Sequence, residues 1–171
     1  IRYLVQEDES RETFTYYPGN GFSTNSVAKT QTICLDSRKY NTVAYNIDDN
    51  NYFKLRDIAQ ILNGTIKTFD VKYDGATNSI DMLSFYDYTS VGGELTPGDD
   101  VTRTAFSSSA FLTLDGVPIK ATCYNIDGNN YFKLRDITDA LDCRVEWDDN
   151  NQLIWVVPSV PAYDDPNEAV G

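Results

Sequence analysis

Arg56-Asp57 and Arg135-Asp136 have the residue types and spacing most suited to chemistry, because the same charged pair recurs inside an otherwise apolar motif. An arginine beside a carboxylate can bind an anion or hold a proton acceptor in place. The structural reading is simpler. An Asp in the first turn of a helix meets free N–H groups and the positive end of the dipole, while Arg bridges to a carboxylate or a strand-end carbonyl. The structural role is preferred.

Other carboxylates suggest other chemistries. Asp48, Asp57, Asp74 and Asp148 could supply the two acids of a glycosidase, but each falls at a predicted turn or helix start, where Asp is expected anyway. A small carboxylate-based hydrolase is therefore the weakest functional reading. The clusters DDNN at 48–51 and 148–151 offer hard oxygen ligands, so calcium is the one cofactor left open. Neither matches the twelve-residue calcium loop with its terminal Glu, and plain turns are the preferred reading.

The chain has no histidine, which removes the commonest general base and metal ligand and rules out a Ser–His–Asp triad, a Cys–His pair or an HExxH site. Cys34, Cys123 and Cys143 show no CxxC spacing. Buried free thiols are expected, with a Cys123–Cys143 disulfide as the alternative. The net charge of −12 argues against nucleic acid or an anionic membrane as partner. No apolar run reaches the length of a membrane span, so membrane insertion is not expected. The chain opens at Ile1 without a signal segment, which leaves room for one already removed.

Aromatic residues supply the remaining candidate site. Tyr16, Tyr17, Phe22, Phe85, Tyr86 and Tyr88 fall outside the apolar periodicity, and aromatic platforms near Asn and Asp are a common way of holding sugars. The competing reading, and the favoured one, is that they fill the cleft between two units. An open aromatic patch would indicate binding, and a filled interface would indicate a scaffold.

These residues are positioned by a repeat. YNIDDNNYFKLRDIAQIL (45–62) returns 79 residues later as YNIDGNNYFKLRDITDAL (124–141), with 14 of 18 positions identical. The likeness extends back to ICLDS and LTLDG. It runs forward to VKYDGATNSIDML (71–83) and VEWDDNNQLIWVV (145–157), where the offset falls to 74. Val43, Tyr45 and Ile47 alternate with polar neighbours as a half-buried strand does. Asp127-Gly128 is a strong hairpin signal, with Gly128 suited to positive φ, and Asp48-Asp49 takes its place in the first repeat. The following strand is expected to turn Phe53 and Leu55 inward and Tyr52 and Lys54 outward. Leu55, Ile58 and Leu62, like Leu134, Ile137 and Leu141, then form one apolar helix stripe. A closing hairpin follows, carrying Val71 and Tyr73 in one repeat and Val145 and Trp147 in the other.

The expected fold is α+β: two tandem β-β-β-α-β-β units, each a mainly antiparallel five-stranded sheet curled around one short helix. Residues 1–27 read as an N-terminal strand and turn, 28–89 as the first repeat and 90–104 as a Gly- and Pro-rich linker. Residues 105–158 read as the second repeat and 159–171 as a flexible tail.

YNIDGNNYFKLRD, a short helix ending in Leu, then V-x-W-D and a closing strand resemble the copper amine oxidase N-terminal domain family. These stalk domains occur in tandem in secreted and cell-surface proteins of Gram-positive bacteria. YTSVGGEL resembles a spacer found between such units. The resemblance covers roughly two thirds of the chain, with order, spacing and turns in agreement. It implies a five-stranded sheet around a helix. Oxidase chemistry in that family belongs to a separate catalytic domain with a histidine copper site, so a chain without histidine is expected to be a non-catalytic extracellular structural or adhesive module. Its expected partners are other domains of a larger parent protein, cell-wall polysaccharide or a surface protein. A carbohydrate or cell-wall binding module is the alternative.

Overall fold

The computed structural model describes residues 23–108 and 110–162. The first repeat runs β1 (Ser23–Val27), β2 (Lys29–Leu35), β3 (Arg38–Ile47), β4 (Asn50–Lys54), α1 (Leu55–Leu62), β5 (Phe69–Asp74) and β6 (Ser79–Ser84). The second runs β7 (Thr102–Ser107), β8 (Phe111–Leu114), β9 (Val117–Pro118), β10 (Cys123–Ile126), β11 (Asn129–Lys133), α2 (Leu134–Ala140), β12 (Arg144–Asp148) and β13 (Leu153–Val157). β1 lies in the stretch read as an N-terminal extension, and β7 begins inside the one read as a linker.

Local chemistry explains the elements. Asp48 and Asp49 adopt φ of 51° and 64° between β3 and β4, and Asp127 and Gly128 adopt 52° and 86° between β10 and β11. Both pairs thus have the left-handed backbone that a tight two-residue hairpin needs. α1 buries Leu55, Ile58, Ala59, Ile61 and Leu62, and α2 buries Leu134, Ile137 and Thr138. One strand differs between repeats. β3 is continuous, whereas its counterpart is broken into β9 and β10 after Pro118, which has no N–H to give to a ladder.

The assembly of these elements corrects the expected α+β fold of two tandem five-stranded units. The protein is mostly β, with one sheet of nine strands in the order β1-β7-β10-β11-β4-β3-β2-β13-β12 and another in the order β5-β6-β8-β9. The closing hairpins have changed places. β6 of the first repeat pairs parallel with β8 of the second, matching Ile80 to Leu112. β13 of the second pairs parallel with β2 of the first, matching Ile154 to Ile33. These are the same register in the repeat alignment, so the exchange is reciprocal.

A pseudo-two-fold axis follows from the registers. β4 pairs antiparallel with its own counterpart β11, and Phe53 lies opposite Phe132. β1 pairs antiparallel with β7, and Asn25 lies opposite Thr104. Each pair joins equivalent positions 79 residues apart, which antiparallel strands do only across a two-fold axis. Ser26 Oγ donates to Asn46 O at 3.0 Å, bringing β1 against β3 so that the strip from β1 to β3 nearly closes on itself.

Two cores result. The larger joins both repeats, with Phe53, Leu62, Phe69 and Met82 from the first packed with Leu112, Phe132, Ile137 and Ile154 from the second. The smaller holds Val43, Tyr45, Ile47, Tyr52, Ala105, Ile126 and Tyr131. Tyr52 therefore points into a core and not outward as the alternation suggested. The reason is that the other repeat covers what would be the solvent face of a lone unit. Tyr45 meets Tyr131 edge to face at 5.0 Å, and the symmetry-related Tyr52 meets Tyr124 at 5.1 Å. Such pairs contribute about 0.5–1.5 kcal/mol each beyond area burial. Among the described residues, no helix is long and apolar enough to cross a membrane.

Candidate functional site

The duplicated Arg–Asp pairs begin the two helices but do not cap them. Lys54 and Lys133 occupy the N-cap positions, and neither helix start has a side-chain cap bond. Asp57 is 1% exposed and instead ties three segments together. Thr42 Oγ1 of β3 donates to its Oδ2 at 2.6 Å, and the Leu95 amide donates to its Oδ1 at 3.0 Å. Burial pushes the Asp57 carboxyl above its ordinary range, against the pull of those two bonds. Asp136 accepts one bond, from the Thr122 amide at 2.8 Å, and burial raises its pKa too. That amide is free to bond sideways because it lies just before β10, in the break that divides the second repeat's long strand.

The arginines differ more. Arg56 Nη1 donates to the Tyr88 hydroxyl at 3.3 Å, and its guanidinium carbon lies 5.9 Å from the centre of that ring. Tyr88 Oη donates in turn to Glu94 Oε2 at 2.5 Å. Burial raises the Tyr88 phenol to about 12. Glu94 bears a desolvation cost, but bonds from the Tyr88 hydroxyl and the Val91 and Gly92 amides hold it down at about 2. Residues 85–101 thus form a strap over the first Arg–Asp corner. Gly98 is closest to the underlying chain: a Cβ there would sit 2.4 Å from Ala28 O. Arg135 is exposed; its carbonyl accepts from Thr138 Oγ1 at 3.4 Å, but its guanidinium makes no hydrogen bond or ion pair among the described residues.

Three of the six candidate aromatics fall among the described residues. Tyr16, Tyr17 and Phe22 lie outside the described residues. Tyr88, itself part of the strap, is buried against Arg56, while Phe85 and Tyr86 are exposed at the strap's start. The interface between repeats is filled by the Tyr pairs and the Phe53–Phe132 ladder.

An aromatic residue assigned on sequence to the closing hairpin proves more informative. Trp147 is 43% exposed and lines a groove of about 600 Å³. β2 supplies Lys29 and Gln31 to it, the β3–β4 hairpin Asn46 and Asp49–Asn51, the start of α2 Lys133 and Arg135, and the β12–β13 hairpin Trp147 and Gln152. Trp147 Nε1 donates to Asp149 Oδ1 at 3.3 Å, holding the indole. Sequence reasoning missed this groove because its walls come from both repeats and meet only through the hairpin exchange. The available signal was Trp147 beside a DDNN turn, which read equally well as hairpin architecture.

Other chemistry-bearing groups are dispersed. Asp48 lies in the β3–β4 turn, Asp57 in α1, Asp74 at the end of β5 and Asp148 at the end of β12. Among the described residues, Asp49 is the one carboxylate lining the groove. Among the described residues, no cluster of three or more acidic or Cys ligands could hold a metal ion. Cys34, Cys123 and Cys143 are free and buried. Burial pushes the Cys123 and Cys143 thiols to about 12 and about 11, so neither is a thiolate near neutral pH. Comparison with protein-family models, with curated proteins and with solved structures found no match for this chain.

Proposed function

We propose that this chain is a non-catalytic structural module of a secreted or cell-surface protein, in which two repeats act as one mechanical body. The reciprocal exchange of closing hairpins carries this reading. Each repeat's parallel edge is completed by the other, so pulling the repeats apart means breaking β6 from β8, β13 from β2 and β4 from β11. A module built to transmit force or hold spacing gains from such interlocking, because a partly opened state exposes both cores. The resemblance of YNIDGNNYFKLRD and its flanking strands to tandem stalk domains supports the same reading, as does the burial of the thiols.

The test is whether the repeats unfold together. Urea unfolding followed by tryptophan fluorescence reports the second repeat, which holds both tryptophans, and far-ultraviolet circular dichroism reports the whole chain. Coincident single transitions are expected. Two separated transitions would overturn the one-body reading, and turnover of a polysaccharide or peptide substrate by the purified chain would overturn the non-catalytic one.

A further inference from the structure

We propose that the groove between β2, the β3–β4 turn, the start of α2 and the β12–β13 hairpin binds an oligosaccharide carrying carboxylate groups. This goes beyond the structural role, which stands whether or not the groove has a ligand. The size fits: about 600 Å³ lies within the range of small-ligand sites. So does the composition. Trp147 offers an indole face anchored through its N–H to Asp149, and Asn51 and Gln152 line the same groove. Sugar rings stack on such faces through their C–H groups and hydrogen-bond to neighbouring amides.

Charge selects among sugars. Among the described residues Lys29, Lys133 and Arg135 line the groove against one lining carboxylate, Asp49, in a chain whose net charge is −12. Lys29 Nζ lies 3.5 Å from the exposed Asp100, a pair that solvent weakens, and Arg135 has no acidic partner among the described residues. Screening at physiological ionic strength weakens interactions beyond about 8 Å, so the cations of the groove wall, set against the nearby Asp49, Asp100 and Asp149, count for more than the remaining acids of the chain.

The other repeat indicates what the arginine accepts. Arg56, the counterpart of Arg135, faces a hydroxylated ring with a carboxylate immediately behind it, Tyr88 and Glu94. A ring, a hydroxyl and a carboxylate within one short reach are also the features of a uronic acid residue. In the first repeat the strap supplies them. In the second, the equivalent arginine opens onto a groove with an aromatic wall.

Titration calorimetry of the full chain at physiological ionic strength tests this with a hexasaccharide of α-1,4-linked galacturonate, with a neutral galactose hexasaccharide, and with inorganic phosphate. Saturable binding of the acidic sugar is expected, at least about tenfold tighter than the neutral one and weakening as salt is added. Arg135→Gln and Trp147→Ala are each expected to weaken it about tenfold, and Arg56→Gln to leave it unchanged. Thermal melts check folding, and Trp147→Gln, which also removes the aromatic face, replaces Trp147→Ala if that variant fails to fold. The proposal is overturned by absence of saturable binding, by equal affinity for the neutral sugar, by displacement with equimolar phosphate, or by binding that ignores both groove substitutions.

Discussion

The two Arg–Asp corners grow from the same run, Tyr-Phe-Lys-Leu-Arg-Asp-Ile, at the same junction of strand and helix. In the first repeat the strap covers the corner, so Asp57 is buried with two donors and Arg56 is occupied. In the second, Asp136 has one backbone donor and Arg135 faces an open groove. Identical residues therefore serve closure in one place and exposure in the other. What separates them is the chain that passes overhead, not the motif. The comparison warns against assigning a role to a repeated motif from its residues alone.

Substitutions can break or sharpen this comparison. Phe53→Ala and Phe132→Ala should have the largest effects. Both rings are fully buried on the pseudo-axis, and each truncation is expected to cost about 3–5 kcal/mol in urea unfolding. Nearly equal losses would show that the axis treats the repeats alike, and a loss confined to one of them would undo that symmetry.

The corners themselves should respond unequally. Asp57→Ala strands the Thr42 hydroxyl and the Leu95 amide and is expected to cost about 2–3 kcal/mol, against about 1 kcal/mol for Asp136→Ala. Equal costs would mean that the strap adds nothing to the first corner. The pH dependence gives this a sign. Asp57 has a folded pKa raised above its ordinary value of 3.8, so its contribution to stability is fully present below that value and is lost as pH rises through the folded pKa. The advantage of the natural chain over Asp57→Asn should therefore shrink between acidic and neutral pH. Glu94, held down at about 2, has the opposite sign: its contribution is present above its ordinary 4.5 and disappears as pH falls through about 2. Unfolding midpoints of Asp57→Asn and Glu94→Gln across that range should diverge from the natural chain in opposite directions.

Smaller effects are confined to the first repeat. Tyr88→Phe removes the hydroxyl between Arg56 and Glu94 and is expected to cost about 1 kcal/mol, with faster proteolysis of the strap. Asp49→Gly installs the residue that the second repeat carries at Gly128. It should stabilise the chain by less than about 1 kcal/mol, because Asp49 holds φ of 64°. A loss of stability there would mean that the Asp49 side chain does something in the groove wall that the turn does not need.

Much of the local structure was legible. The switch from strand to helical periodicity at Leu55 and Leu134, the turns at Asp48-Asp49 and Asp127-Gly128, and the apolar stripes could all be read from residue types, because backbone sterics and burial act over a few residues. The fold class was not. The α+β reading with five strands per helix assumed that each closing hairpin returns to its own repeat. Nor was the site legible: Trp147 reads as a hairpin residue until β12–β13 is placed beside β2 of the other repeat, and the strap over Arg56 reads as a Gly- and Pro-rich linker until Gly98 is seen packed on Ala28.

The amino-acid sequence by itself determined the repeat, its hairpins and helices, the absence of histidine chemistry and the strongly acidic charge. Tertiary structure alone decided which hairpin completes which sheet, that both faces of β3 and β4 are buried, and which arginine is open. The physical reason lies in the repeat. Ile80 can pair with Ile33 or Leu112, and Ile154 with either, at nearly equal local cost, since the residues are alike in both partners. Only the length and path of the connecting chain, and the cores that close once it is laid down, separate the exchanged arrangement from the unexchanged one.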